Sequence, residues 1–284
     1  MKIVEQPGQA WERICLYGPP KVGKTTLATS LPWGSYWGER ALYVAYDAGV
    51  RKGASEQEIA SATSSALKSV LDENQNRLVV VAPVGEPNWM EEAVAIARTD
   101  WRKTYPEIKT IIVDPLTELA RRILREYSDS GVFSDKHAVQ VGKRDAGSWH
   151  TSPMEGDYGA TQNTIAFLHE HLWTQPLHLI VVFHEDVADS DSGSDGMVGG
   201  PQTVGKKAIR WVPAKYDTVL YMQRQQVSQD KSVIVVNTQQ RGIWRAGVRN
   251  GNPEFKLPAQ IPLSRNPVEF WKQLVSEPAE RIVK

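Results

Sequence analysis

The sequence predicts an α/β protein in which a mostly parallel sheet is flanked by helices and extended, toward the carboxyl terminus, by antiparallel strands. Three observations carry that prediction. Through the first two-thirds of the chain, short apolar runs alternate with longer amphipathic segments, the pattern of a parallel sheet covered by helices. A glycine-bounded turn, residues 18–25, separates the first apolar run from the first helical segment. Beyond Phe183, strand-like runs follow one another with no long helix between them.

The elements follow in order. Residues 14–17, 41–46, 78–82, 110–113 and 179–183 read as buried strands, and residues 24–31, 55–74, 88–103, 116–127 and 158–174 carry helical spacing. Ser55 and Glu58 stand three apart at the head of the second helical segment, the spacing of a capping box. Residues 217–223, 232–237 and 243–248 read as an antiparallel extension of the same sheet. Residues 268–275, after Pro258, Pro262 and Pro267, read as a short helix that packs back on the domain. Two stretches rich in Gly, Ser and Asp, residues 128–156 and 187–205, show no period. Their 29 and 19 residues exceed the ~12–15 expected of an idle connection, which marks them as functional loops. A single domain over residues 1–284 accounts for the pattern, with a core over residues 13–251 and a tail over 252–284.

Composition narrows the class. With 41% hydrophobic and 23% charged residues the chain can bury a core, which excludes disordered and collagen-like sequences. No apolar run approaches the ~18 residues that span a bilayer, and residues 1–11 hold neither an apolar signal segment nor an Arg-rich amphipathic one. The expectation is a soluble, cytoplasmic protein with no membrane partner. Cys15 is the only cysteine, so no internal disulfide forms, in keeping with a reducing compartment. The 33 basic and 33 acidic residues cancel, so any attraction to nucleic acid has to come from a local patch.

The turn itself is the most specific signal. Gly18-Pro19-Pro20-Lys21-Val22-Gly23-Lys24-Thr25 matches G-x-x-x-x-G-K-[ST] at every fixed position, between a strand and a helix. Glycines let backbone N–H groups curl around a β-phosphate, and the helix N-terminus adds partial positive charge. In that chemistry Lys24 reaches the β- and γ-phosphates of ATP and the Thr25 hydroxyl ligates Mg²⁺. Residues 18–26, ending with Thr26, form the expected nucleotide-binding segment. The bland alternative is a Gly/Pro turn that happens to precede a helix.

A nucleoside triphosphate site also needs a carboxylate at the end of a neighbouring buried strand to hold the metal shell, and Asp114 ends the apolar run 110–113. Asp114 also suits a helix N-cap, with Pro115 at the first helical position, and the two roles are compatible. Because Pro115, and not Glu, follows Asp114, the general base must come from elsewhere. Glu86 is the first choice: it follows a strand into the turn Pro83-Val84-Gly85, at the carboxyl edge where ligands bind in open α/β sheets. Asp47, after the strand 41–46, is the second choice, and a solvated turn glutamate is the bland reading of Glu86.

In this order, the P-loop, Asp47, Pro83-Val84-Gly85-Glu86, residues 110–114, Phe183-His184-Glu185 and a Gly-rich loop resemble the core ATPase domain of RecA-type recombinases. More narrowly, the chain resembles shortened phage-encoded relatives that act in single-strand annealing. The resemblance spans residues 14–251. It implies a DNA-dependent ATP hydrolase that assembles with itself into a ring or filament in the host cytoplasm and binds single-stranded DNA. Glu86 falls where the family keeps its water-activating glutamate, and His184 where it keeps a polar sensor of the γ-phosphate. Residues 128–156 and 187–205 would be the two loops that face DNA. About a dozen residues precede the first strand, too few for the family's amino-terminal oligomerisation domain. Gly247 stands where phage relatives carry a lysine two residues before an arginine, here Arg249.

Local charge agrees with a DNA partner. From Gln202 to Arg249 nine basic residues face two acidic ones, a net of +7. Lys206, Lys207 and Arg210 would contact phosphates, and Trp211 would stack on a base; a solvated basic face with Trp211 in the core is the alternative. Asp186, just before the second loop, and Asp189, Asp191 and Asp195 within it oppose a DNA backbone. Arg249 is the candidate to complete catalysis on a neighbouring subunit's ATP, or else a surface arginine beside a turn. Two other classes compete: a small-molecule P-loop kinase, whose arginine-bearing lid the loop 187–205 does not provide, and a nucleotide-gated scaffold for a replication partner.

Overall fold

β1 (Arg13–Gly18) is buried along its whole length because helices cover both faces of the sheet around it: Cys15 and Tyr17 enter one core, Ile14 and Leu16 the other. The computed structural model describes residues 11–46, 77–81, 89–130, 153–189, 196–206, 208–249, 257–263 and 266–275. After β1 come α1 (Lys24–Thr29), β2 (Arg40–Ala45), β3 (Leu78–Val81), α2 (Trp89–Arg98), α3 (Trp101–Thr104), β4 (Ile108–Asp114), α4 (Leu116–Ser130) and α5 (Glu155–Thr174). The second half holds β5 (His178–Asp189), β6 (Met197–Pro201), α6 (Ala208–Ala214), β7 (Thr218–Ser228), β8 (Lys231–Asn237), β9 (Gly247–Val248), β10 (Gln260–Pro262) and α7 (Val268–Leu274).

The strands form one sheet in the order β10-β8-β7-β1-β5-β4-β2-β3, with β6 added to β5 and β9 to β7. From β7 to β3 every neighbour is parallel, whereas β6, β8, β9 and β10 pair antiparallel. The expected α/β class with a parallel centre and an antiparallel extension is the fold found. Side chains alternate across the sheet, so α2, α4 and α5 close one core and α1 and α7 the other. The tail helix packs back as expected: Trp271 is fully buried and its Nε1 donates to the Leu27 carbonyl of α1 at 2.8 Å.

Several boundaries differ from the sequence-based expectation. The helical segment expected over 88–103 is two helices, because Asp100 leaves helical geometry (φ −79°, ψ 86°) and starts α3. β7 lies parallel to β1, so the antiparallel extension on that side of the sheet begins only at β8: the chain returns from β6 through α6 and re-enters the sheet in the direction of β1. Within 187–205, expected as an aperiodic loop, β5 runs on to Asp189 and β6 pairs back on it as a hairpin, Glu185 facing Pro201. Gly199 is small because Trp244 packs on it; a Cβ there would lie 2.3 Å from the indole. Of the strand expected over 243–248 only β9 forms, since Trp244 instead stacks on Tyr221 with ring centroids 4.6 Å apart. Residues 55–74, with Ser55 and Glu58, lie outside the described residues.

Candidate nucleotide-binding site

The carboxyl ends of the parallel strands open on one edge of the sheet, and β5 separates β1 from β4 there. Register brings the expected residues to that edge: Gly18 is level with His184, and Asp114 with Ala45. The turn after β1 then folds over it. Gly18 has φ +153°, and a Cβ would stand 2.2 Å from the Met222 carbonyl oxygen, so only glycine lets β1 turn away beside β7. Lys21 and Gly23 both take positive φ, 61° and 89°, and Gly23 is the residue from which α1 starts.

Lys24, 6% exposed, curls back and donates from Nζ to the carbonyls of Gly18 at 2.9 Å and Pro19 at 2.7 Å. Burial pulls its ammonium down to about 8, against the raising influence of Asp114 and Glu185. Two neutral carbonyls are weaker partners for an ammonium than an anionic oxygen, so a phosphate entering the turn would draw this side chain away. The Thr25 hydroxyl donates to Asp114 Oδ2 at 2.6 Å, and the Tyr43 hydroxyl donates to the same oxygen at 2.9 Å. Asp114 is 4% exposed and its chain enters α4 only at Leu116, so it serves the edge through its side chain; Pro115 precedes the helix and does not open it. Val22 is buried in the core beside α1, which anchors the turn between its glycines.

His184 is a further polar group of the edge. Among the described residues its buried Nδ1 meets no hydrogen-bond partner, and burial, then the nearby Lys24 and Arg121 charges, lower its pKa. An unsatisfied ring nitrogen beside the phosphate-binding turn fits a ligand oxygen when it is the nitrogen that carries the proton. Hard oxygen donors from Thr25 and Asp114, already hydrogen-bonded to each other, likewise fit the donor set that magnesium uses.

The other candidates fall as follows. Glu86, Asp47 and Lys207 lie outside the described residues. Lys206 is exposed and Arg210 half-buried, at the foot of the hairpin and the start of α6. Trp211 packs edge-on against His169, centroids 5.9 Å apart, and joins the core margin, which favours the core alternative. Arg249 pairs with Asp217 at 3.2 Å, and Asp217 sits beside Arg13 at the amino edge, the far end of β1 from Gly18. The structure therefore does not bring Arg249 to its own chain's P-loop. His169 and His178 are core histidines: the Nδ1 of His178 accepts from Glu12 N–H at 3.0 Å, and its Nε2 bonds to the Tyr36 carbonyl at 3.0 Å. Two edge residues escape the sequence. Glu185 accepts from the Tyr221 hydroxyl at 3.1 Å, and burial raises its carboxyl. Tyr43 reaches Asp114 as a same-face diagonal neighbour, which only the β2–β4 register discloses.

A glycine-framed turn carrying Lys24 and Thr25, closed by a carboxylate two strands away, defines a P-loop nucleotide-binding core of the RecA-like α/β class. The chain belongs to the AAA domain family, whose model matches residues 11–249. That family implies a nucleotide and, with it, magnesium. Among solved structures, the fold is similar to a KaiC-like protein from Pyrococcus horikoshii, at 13% identity and a TM-score of 0.48, covering 90% of this chain and 86% of that one. It is also similar to the flagellar accessory protein FlaH from Methanocaldococcus jannaschii, at 11% identity and a TM-score of 0.40, covering 90% and 87%. The comparison with curated proteins finds no match. Among the described residues no helix is long and apolar enough to cross a membrane.

Proposed function

We propose that the chain is a magnesium-dependent ATP hydrolase that binds single-stranded DNA and supports annealing or strand exchange as a ring or filament of identical subunits. The observation that carries the ATP half is the meeting of Lys24, Thr25, Asp114 and His184 on one sheet edge. Lys24 exchanges its two loop carbonyls for phosphate oxygens, which places its charge where negative charge grows during phosphoryl transfer. Thr25 and Asp114 are the residues that would hold magnesium, which when bound neutralises charge on the phosphate oxygens. The Tyr43 hydroxyl keeps the Asp114 carboxylate turned toward Thr25. His184, as the tautomer with the proton on Nδ1, donates from that nitrogen to an oxygen of the outermost phosphate. Glu86 orients the attacking water; it follows β3, which runs parallel to β2 toward the same edge. ATPase assays with and without single-stranded DNA test the whole reading: turnover stimulated by DNA is expected, and turnover indifferent to DNA removes the DNA half.

The DNA half is supported by the basic stretch from Gln202 to Arg249. Lys206 and Arg210 stand where β6 hands over to α6, so a backbone laid along the hairpin foot meets both. Replacing Lys206, Lys207 and Arg210 together is expected to weaken binding and to flatten the log-affinity against log-salt slope by ~0.7 for each phosphate no longer neutralised. Titrations at several salt concentrations measure this; an unchanged slope takes these residues out of the DNA site.

Self-assembly gives Arg249 a role that its own chain does not. Its ion pair with Asp217 is 72% exposed on the arginine side, and such pairs are weak, so the guanidinium can exchange partners. An arginine supplied by a neighbour typically contributes ~10³-fold or more to phosphoryl transfer. Specific activity should rise with protein concentration. Mixing inactive Arg249→Ala and inactive Lys24→Ala subunits should recover turnover, because some interfaces then pair an intact P-loop with an intact arginine. Mixtures that co-assemble on DNA yet stay inactive exclude the trans role.

A further inference from the structure

A ladder hydrogen bond is missing where the site meets the β5–β6 hairpin, and a side chain fills its place. Glu185 faces Pro201 and Asp186 faces Gly200, so His184 faces Gln202. Gln202 N–H donates to the His184 carbonyl at 2.7 Å, as one of the two bonds that a hydrogen-bonded antiparallel pair exchanges. The reciprocal bond is not made directly. His184 N–H donates instead to Thr117 Oγ1 at 3.0 Å, and that hydroxyl donates to the Gln202 carbonyl at 2.7 Å. Thr117 is therefore inserted between the two strands, 1% exposed.

Its position follows from topology. The β4–β5 ladder ends at Val113 with Val181, β4 turns into α4 after Asp114, and β6 takes over beside β5 from Glu185 onward. The gap between β4 leaving and β6 arriving falls at His184, and the first turn of α4 delivers Thr117 into it. One turn further along α4, Arg121 Nη2 donates to the Gln202 side-chain oxygen at 3.0 Å. Gln202 is thus held by its backbone and its side chain from the helix that begins just after Asp114.

We propose that Thr117 is a positioning residue that couples the nucleotide edge to the β5–β6 hairpin, its hydroxyl standing in for the His184–Gln202 ladder bond. Asp114 and Thr117 sit on one short stretch of chain, and Thr117 holds the backbone of His184. Whatever shifts Asp114 or His184 shifts the point where the hairpin leaves the sheet. If the hydroxyl withdraws, the His184 N–H and Gln202 C=O can close on each other and lengthen the hairpin ladder by one bond, so the arrangement has two discrete states. The inference rests on the nucleotide reading of the edge and adds the residue that transmits it.

Amide hydrogen exchange on the whole chain, with and without a non-hydrolysable ATP analogue and Mg²⁺, reads this directly. Loading is expected to change exchange at His184, Gln202 and the hairpin strands 185–189 and 197–200, by up to ~10-fold for one hydrogen bond made or broken. Thr117→Val, which keeps the shape and removes the hydroxyl, should leave analogue affinity within about threefold, abolish the hairpin response and lower turnover by ~10-fold, the weight of one hydrogen bond. Thr117→Ser should restore both. A hairpin response that survives in the Val variant, or a Ser variant as impaired as Val, overturns the proposal. Should the Val variant not fold, wild type and Thr117→Ser decide: bound analogue with unresponsive hairpin amides in wild type overturns the coupling alone, whereas failure of the analogue to bind overturns the nucleotide reading and the coupling with it.

Discussion

Lys24→Ala should abolish ATP hydrolysis, a loss of ~10³-fold or more, because it removes the ammonium positioned to meet charge developing on the γ-phosphate. The fold should survive. Among the described residues this lysine bonds to two carbonyls of its own loop, and its burial costs the folded state stability. Steady-state turnover and thermal unfolding measured side by side should therefore separate, with activity lost and Tm unchanged or raised; wild-type turnover would overturn the assignment of the phosphate cradle. The same residue sets a pH dependence. Phosphate binding needs the ammonium, which burial holds near 8, so ATP affinity should be level below about pH 7 and fall by up to ~10-fold per pH unit above 8, a proton being taken up on binding. Folding runs the other way. Between 8 and the ordinary value of 10.5 the unfolded chain binds the extra proton, so this group's contribution to stability rises with pH. Isothermal titration in buffers of different ionisation enthalpy would show the uptake, and Lys24→Ala should abolish it.

What the sequence discloses depends on whether a feature is local. The P-loop is one continuous turn with φ-dependent glycines, and the buried strands are apolar runs with helices on both faces, so both are legible in a single stretch of residues. Asp114 is legible for the same reason, as the polar end of an apolar strand. The hairpin of β5 and β6 is not, because Gly199-Gly200-Pro201 reads as loop chemistry; Gly199 is there to admit Trp244, and Pro201 sits opposite Glu185 where the ladder needs no N–H. Tyr43 and Thr117 escape a sequence reading because each matters only through a partner more than 60 residues away, brought near by sheet register or by the turn out of β4. Glu185 stands in plain sight beside His184. Its significance emerges only with Tyr221 across β1 and with Lys24 close enough to be felt.

That glutamate sharpens the prediction about the general base. Glu86→Gln should leave ATP bound and lower turnover by ~10²-fold or more, because the amide keeps the size of the side chain and cannot accept the proton of the attacking water. Asp47 remains the second choice and lies outside the described residues; among those described Glu185 is the rival carboxylate, and three features weigh against it as the base. It follows His184 on β5, so it emerges on the opposite face from that ring. It already accepts from the hydroxyl of Tyr221, whose ring stacks on Trp244. Its carboxyl, raised by burial, is held on the Tyr17 and Tyr221 side of the sheet, whereas Thr25 and Asp114 meet on the α1 side. Glu185→Gln should therefore cost less than ~10-fold in turnover, about the weight of one hydrogen bond. Rapid-quench measurements on both variants, with nucleotide binding followed separately, distinguish the two assignments. Full activity in Glu86→Gln combined with a collapse in Glu185→Gln would transfer the base to β5, and the water would then have to approach from the face that Tyr17, Tyr221 and Trp244 now fill.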